Sequence, residues 1–342
     1  MEEYDMKKQI RHTKPFTLIS LFFTLILTFG LLTGCGSGNK KNSSKESKVL
    51  TFGSFATSIQ PILADQLGYF NEELKPYGYT VEVKTFSTGP EIREALEAGE
   101  IDFGTLGAQP AILANNNGTP LRILGTYKTS EKCNAMVVRT DAGIHPIKDL
   151  KGKKIGYTAG STLHNLLLKI LEKADLTEKD VELFNMDASE IKTSLETGDI
   201  DAGILWEPYI TQIEKEKNIT ELIDGTGLVK EVCGYVANEQ FINDHPDETQ
   251  AVLKALDHSW NWAEDNMDKA VANIANSSGS AEDEVRAIFD KSDGSTFLTT
   301  DKINAIDETC QYLYKQKLTD KRIKAVDIVN TDIQNKAGIT EQ

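Results

Sequence analysis

A chain of 342 residues, 39 % hydrophobic and 26 % charged, can bury one large core and has the length for two. Its formal net charge of −15 argues against nucleic-acid binding, which needs basic patches, and against electrostatic attraction to anionic lipid. No long acidic repeat occurs, so the charge is spread over solvated faces.

The first segment reads as a leader rather than as part of the fold. Lys7, Lys8, Arg11 and Lys14 form a basic stretch, an apolar run covers 16–32, and small residues follow over 33–38. This is the order of a secretory signal. An uncleaved membrane anchor is the competing reading, because the run is near the lower length for a span. Met6 is a tidier start than Met1, since Glu2, Glu3 and Asp5 then drop out. Leu32-Thr33-Gly34-Cys35 resembles the lipobox of bacterial lipoproteins. That resemblance implies a signal peptide over 1–34, lipidation of Cys35, and acyl chains as the only membrane attachment. The polar residues 35–48 then form a flexible tether.

From Val49 short strands alternate with helices. "VLTFGSF" (49–55) is a strand and "SIQPILADQLGYF" (58–70) a helix. "YTVEVKTF" (79–86) alternates with period two and is a strand. "PEIREALEAG" (90–99) is a helix, with Pro90 suited to the first turn and Gly99 to the C′ position. "IDFGTLG" (101–107) is a strand, "PAILANN" (110–116) a helix and "LRILGTY" (121–127) a strand. The alternation predicts an α/β unit with a mostly parallel sheet.

A similar unit follows Arg139. "KKIGYT" (153–158) is a strand and "STLHNLLLKILEKA" (161–174) an amphipathic helix. "VELFNM" (181–186), "SEIKTSLETG" (189–198), "DIDAGIL" (199–205), "EPYITQIEKEK" (207–217) and "ITELI" (219–223) continue the alternation. "EIREALEAGEIDFGTL" and "EIKTSLETGDIDAGIL" align without a gap. We read them as one helix–glycine–strand corner used in two lobes. After Gly234 the pattern turns helical over 247–266, 268–278, 281–292 and 300–317, a tail that needs an existing sheet to cover. The first lobe is the natural one.

In order along the chain, "PILADQLGYFNEEL", "EALEAGEIDFGTLGAQPAI", "IKDLKGKKIGYTAGST" and "TGDIDAGILWEPY" resemble the substrate-binding lipoproteins of ABC importers for sulfonates, taurine, nitrate and related small molecules. The resemblance covers roughly 49–236, with a helical tail of the expected kind beyond. It implies an α/β fold of the two-lobe, type II periplasmic-binding-protein kind. Two hinge strands join the lobes and the helical extension packs on lobe one. Lobe one is then 49–135 with 236–342, and lobe two 136–235. The crossings fall near "CNAMVVR" (133–139) and "KEVCGYVAN" (230–238). On that assignment Cys133 and Cys233 open neighbouring crossings, where they either form a disulfide or stay buried thiols. Cys310 sits at helical spacing with Ile303, Ile306 and Leu313 and reads as a core thiol.

Ligands of open α/β sheets bind beyond the carboxyl ends of the strands. Those ends carry Phe55, Thr57 and Ser58; Ser87, Thr88 and Gly89; Gly107 and Gln109; Ala159, Gly160, Ser161 and Thr162; and Trp206 and Glu207. Ser161 and Thr162 open a helix whose N–H groups and positive end suit an anion without any lysine or arginine, or else they only cap it. Trp206 offers an apolar face to a ligand or to the core. Glu207 either faces a cationic ligand group or caps its own helix. His164, one turn into its helix, reads as a ligand neighbour or a partly exposed surface histidine.

No metal-ligand spacing, P-loop, Gly-x-Ser-x-Gly elbow or paired catalytic carboxylates occur, so neither metal, cofactor nor catalysis is expected. Enzymes of related fold that make the thiamine pyrimidine carry a cysteine-rich motif with no counterpart here. The resemblance implies a monomer outside the cytoplasm that captures a small organic anion, such as an alkanesulfonate, for a permease and its ATPase. Taurine, nitrate, a pyrimidine or aromatic precursor, and presentation of ligand to a sensor stand as alternatives.

Overall fold

The structure is a computed structural model, and residues 47–341 are described; Cys35 and the leader lie outside them. In chain order come β1 (Lys48–Ser54), α1 (Ile59–Gln66), α2 (Tyr69–Leu74), β2 (Tyr79–Thr85), α3 (Gly89–Ala98), β3 (Phe103–Gly107), α4 (Ala108–Asn116) and β4 (Leu121–Ser130). Next are β5 (Asn134–Arg139), β6 (Lys154–Tyr157), α5 (Thr162–Lys173), β7 (Glu182–Asn185), α6 (Ala188–Thr197), β8 (Ala202–Trp206), α7 (Tyr209–Glu214) and β9 (Ile219–Asp224). The chain ends with β10 (Glu231–Asn238), α8 (Glu239–Asp244), α9 (Pro246–Asp265), α10 (Met267–Ser278), α11 (Glu282–Lys291), α12 (Thr300–Lys315), α13 (Ala325–Ile328) and α14 (Thr331–Lys336). The single helix expected over 58–70 is two, because Gly68 adopts a left-handed φ of 83° between α1 and α2.

Two five-stranded sheets result, ordered β2-β1-β3-β10-β4 and β7-β6-β8-β5-β9. Their plans match position by position. Three parallel strands are followed by one antiparallel strand, β10 in the first sheet and β5 in the second. In each sheet that fourth strand is the one arriving from the other lobe.

The repeated corner explains the third strand of both sheets. Thr88 with Glu91, and Asp187 with Glu190, form capping boxes at the starts of α3 and α6. Gly99 and Gly198 end these helices at φ 70° and 86°. Asp102 Oδ2 then accepts the Thr51 N–H of β1 at 2.7 Å, and Asp201 Oδ2 the Lys154 N–H of β6 at 2.9 Å. Each Asp thus ties its strand to the neighbour. A Cβ on Gly104 would lie 2.7 Å from Ile92 Cγ2, and one on Gly203 2.4 Å from Ile191 Cγ2. The glycines let helix and strand approach. Gly203→Ala should therefore destabilise by about 1–3 kcal/mol, because the Ile191 Cγ2 it meets is fixed on a β-branched carbon of α6. Urea unfolding with an unchanged midpoint would refute this.

The crossings fall earlier than the sequence reading places them. "CNAMVVR" contains β5, already paired with β8, and "KEVCGYVAN" is mostly β10, already paired with β3 and β4. The passages between sheets are residues 131–133 and 225–230. They touch: a Cβ on Gly225 would lie 2.5 Å from the Glu131 carbonyl oxygen. Among the described residues Cys133, Cys233 and Cys310 are buried free thiols. No disulfide joins Cys133 to Cys233, because Cys233 sits inside the first sheet between Gly107 and Lys128 whereas Cys133 leads into the second.

The helical tail covers lobe one. α9 packs its apolar stripe on the β1–β3–β10 face, and α12 contributes Ile306, Cys310 and Leu313 to the opposite face. α10 and α11 pack on α1 through Val271, Ile274, Ile288 and Phe289. α11 also reaches lobe two, where Glu284 Oε1 lies 2.9 Å from Lys215 Nζ and Glu284 Oε2 accepts from Gln212 Nε2 of α7 at 2.9 Å.

Candidate ligand cleft

The strand ends of both sheets converge on a cavity of about 80 Å³ between the lobes. Lobe one contributes Phe55, Thr57, Ser58, Ile59 and Gln60 at the start of α1, Gly89 at α3, and Gly107 and Pro110 at α4. Tyr127 and Lys128 of β4, Glu231 and Cys233 of β10, and Ile288 and Ser292 at the end of α11 complete that side. Lobe two contributes Ser161, Thr162, Trp206 and Glu207. The starts of four helices thus border one space, each with backbone donors left over by helix geometry.

Of the residues read from the sequence, Phe55, Thr57, Ser58, Gly89, Gly107, Ser161, Thr162, Trp206 and Glu207 line the cavity. Ser87, Thr88, Gln109, Ala159 and Gly160 do not. The Ser87 and Thr88 N–H groups donate to the Glu91 carboxylate at 2.9 and 3.2 Å, so the capping box consumes that loop. Ala159 N–H donates to Asn185 Oδ1 at 2.8 Å, turning its loop toward β7. Gly160, at φ 72°, makes the turn. Gln109, in the first turn of α4, is 1 % exposed with both amide atoms without a hydrogen-bond partner among the described residues.

Glu207 caps its own helix and also reaches the cleft. It borders the cavity, its Oε2 accepts the Thr211 N–H in the first turn of α7 at 3.1 Å, and its Oε1 pairs with Lys291 of α11 across the cleft. The helix after it starts at Tyr209 rather than at Pro208. Trp206 stands 6.4 Å from the Phe55 ring, so the two lobes present an aromatic pair across the cavity. His164 is buried rather than at the surface. It packs 5.0 Å from the Tyr157 ring, and burial pushes its pKa down against the opposing pull of Glu178.

At α5, Ser161 Oγ accepts from Leu163 N–H at 3.2 Å and donates to Thr158 O at 2.7 Å. The Ser161 N–H turns to Thr158 O. The first-turn donor with no partner among the described residues is the Thr162 N–H. On α1, Gln60 is fully buried. Its Nε2 donates to Tyr127 O and Gly294 O at 2.9 and 2.8 Å, while its Oε1 has no hydrogen-bond partner among the described residues.

The cleft also holds an ion pair outside the residues expected from the sequence. Lys128 Nζ lies 3.3 Å from Glu231 Oε2, and Cys233 Sγ donates to Glu231 Oε1 at 3.1 Å. Burial raises the Glu231 carboxyl. The Lys128 ammonium, aided by Cys233, Thr162 and Asn134, more than reverses this and holds it below the usual carboxylate range. Burial lowers Lys128, and the Glu231 charge beside it carries it above the usual lysine value. A charged residue inside each of two apolar strands, "LGTYKTS" and "KEVCGYV", was the available signal.

Two sheets of matching plan with a cleft lined by helix starts define the two-lobe binding-protein fold. Residues 56–270 match the family described as "NMT1/THI5 like". The chain belongs to that family. It is 27 % identical over 316 residues to a Bacillus subtilis (strain 168) protein named for binding aliphatic sulfonates, covering 92 % of this chain and 95 % of that one. It is 27 % identical over 283 residues to the taurine-binding periplasmic protein of Escherichia coli (strain K12), covering 77 % and 85 %. The fold is also that of the alkanesulfonate-binding protein SsuA from Xanthomonas axonopodis pv. citri, solved with MOPS bound. That match has a TM-score of 0.75 and 23 % identity, over 84 % of this chain and 100 % of that one.

Proposed function

We propose that the protein is the extracytoplasmic solute-binding component of an ABC importer, closing two lobes over a small organic anion of sulfonate type. It is a lipoprotein held by Cys35 once 1–34 are removed, acts as a monomer without catalysis, and hands its ligand to a permease with its ATPase. The observation that carries this reading is the convergence of four helix starts and Lys128 on one inter-lobe cavity. The relatives named for sulfonates and taurine support the ligand class. Phe55 and Trp206 supply an apolar wall suited to the organic part.

A thermal-shift screen over ethanesulfonate, taurine, MOPS, nitrate and a neutral pyrimidine tests it, since a ligand of the native state raises the melting temperature by mass action. The expected result is a clear rise with a sulfonate. A rise with the neutral pyrimidine alone would overturn the anion reading. Thr162→Pro should weaken sulfonate binding about tenfold, because proline fits the first helical position but removes the unpartnered N–H. Thr162→Val keeps that N–H and should lose less. Equal affinities of the two variants in calorimetry would remove α5 from the site.

A further inference from the structure

Among the residues lining the cavity Lys128 is the single cation, while two carboxylates, Glu207 and Glu231, border it. Glu207 is committed to Lys291 and to α7. Glu231, by contrast, is held by groups of the cavity itself: Lys128 Nζ 3.3 Å from its Oε2, the Cys233 thiol, and the Thr162 and Asn134 side chains. It is 6 % exposed. Thr162 is the first residue of α5. The two features that would receive an acid group, Lys128 and the start of α5, therefore already face an acid of the protein.

Resting on the anion reading above, we infer that Glu231 is an internal competitor for the ligand's acid group, and that an anionic ligand binds with uptake of one proton by Glu231. Two negative groups sharing one buried seat cannot both stay ionised. A sulfonate is far the stronger acid, so the carboxylate takes the proton from solvent. Lys128 then exchanges Glu231 for the ligand, and the new O–H on Glu231 becomes a donor to the ligand oxygen. The other charged or titratable groups facing Glu231 do not supply the proton equivalent. Lys128 stays charged, burial pushes the thiols of Cys133 and Cys233 and the Tyr127 phenol up so that they remain neutral, and Glu207 keeps Lys291.

The sign follows from linkage. Glu231 is ionised in the unbound protein at neutral pH, and the complex holds one proton more. The dissociation constant for an anion therefore rises about tenfold per pH unit between pH 5 and 7. Calorimetry with ethanesulfonate, run at one pH in buffers of different ionisation heat, counts that proton directly on the wild-type protein. The expected count is close to one taken up. Glu231→Gln should abolish the uptake, flatten the pH profile and bind ethanesulfonate at least tenfold tighter at pH 7. Wild-type binding with no proton uptake overturns this inference and leaves the anion reading standing. Failure of ethanesulfonate, taurine and MOPS to bind either protein at any pH overturns both.

Discussion

Gly107→Ala weakens ligand binding by about 10- to 100-fold while the protein stays folded. Gly107 ends β3 in lobe one, and a Cβ there would lie 2.4 Å from Thr162 Cγ2 in lobe two. Its φ of −67° is ordinary for alanine, so the backbone does not resist the change. The clash exists only when the lobes meet. Overpacking of this kind costs about 1–3 kcal/mol, and here that cost falls on the closed state alone, giving the stated range in affinity. Thr162→Ser removes the offending methyl, so the double variant should recover most of the loss. Calorimetry with the best ligand of the screen decides. Wild-type affinity in Gly107→Ala would mean that the ligand is held without this approach of the lobes.

Lys128→Ala should cost about 3–5 kcal/mol of stability at pH 7, because it leaves Glu231, with a side chain 5 % exposed, buried without its cation. In the wild type the lysine keeps the Glu231 carboxyl below its ordinary value. That contribution is present above the ordinary carboxylate pKa and is lost as pH falls through the lowered one. In the variant, burial is opposed only by the Cys233, Thr162 and Asn134 hydrogen bonds, and the carboxyl rises. The deficit should then shrink as pH drops from 7 toward 5 and Glu231 takes a proton. Pairing Lys128→Met with Glu231→Gln should restore most of the stability. Urea unfolding at both pH values tests the sign. A deficit that grows in acid would contradict the assignment of charge in the cleft.

Local rules made the scaffold readable and tertiary ones hid part of the site. The repeated corner depends on an N-cap, a left-handed glycine and an apolar strand, all set within 88–107 and 187–206, and both copies occupy the third strand position of their sheets. The Asp102 and Asp201 ties to neighbouring strands were not legible, since they depend on which strand lies alongside. The sequence does not mark the crossings, because β5 and β10 are buried almost throughout, like the third strand of each sheet. Ser87 and Thr88 could have been set aside from sequence, because Thr88-x-x-Glu91 is a capping box in plain view. Lys128 and Glu231 meet only through the β4–β10 register, and Ile288 and Ser292 only through the docking of α11.

Tryptophan fluorescence during an ethanesulfonate titration tests the central claim most directly, since Trp206 lines the cavity whereas Trp260 and Trp262 belong to the helical tail. The account predicts a saturable one-to-one change that disappears in Trp206→Phe, although calorimetry still detects binding by that variant. A change that survives the substitution, or a response to a neutral pyrimidine but to no sulfonate, would contradict it.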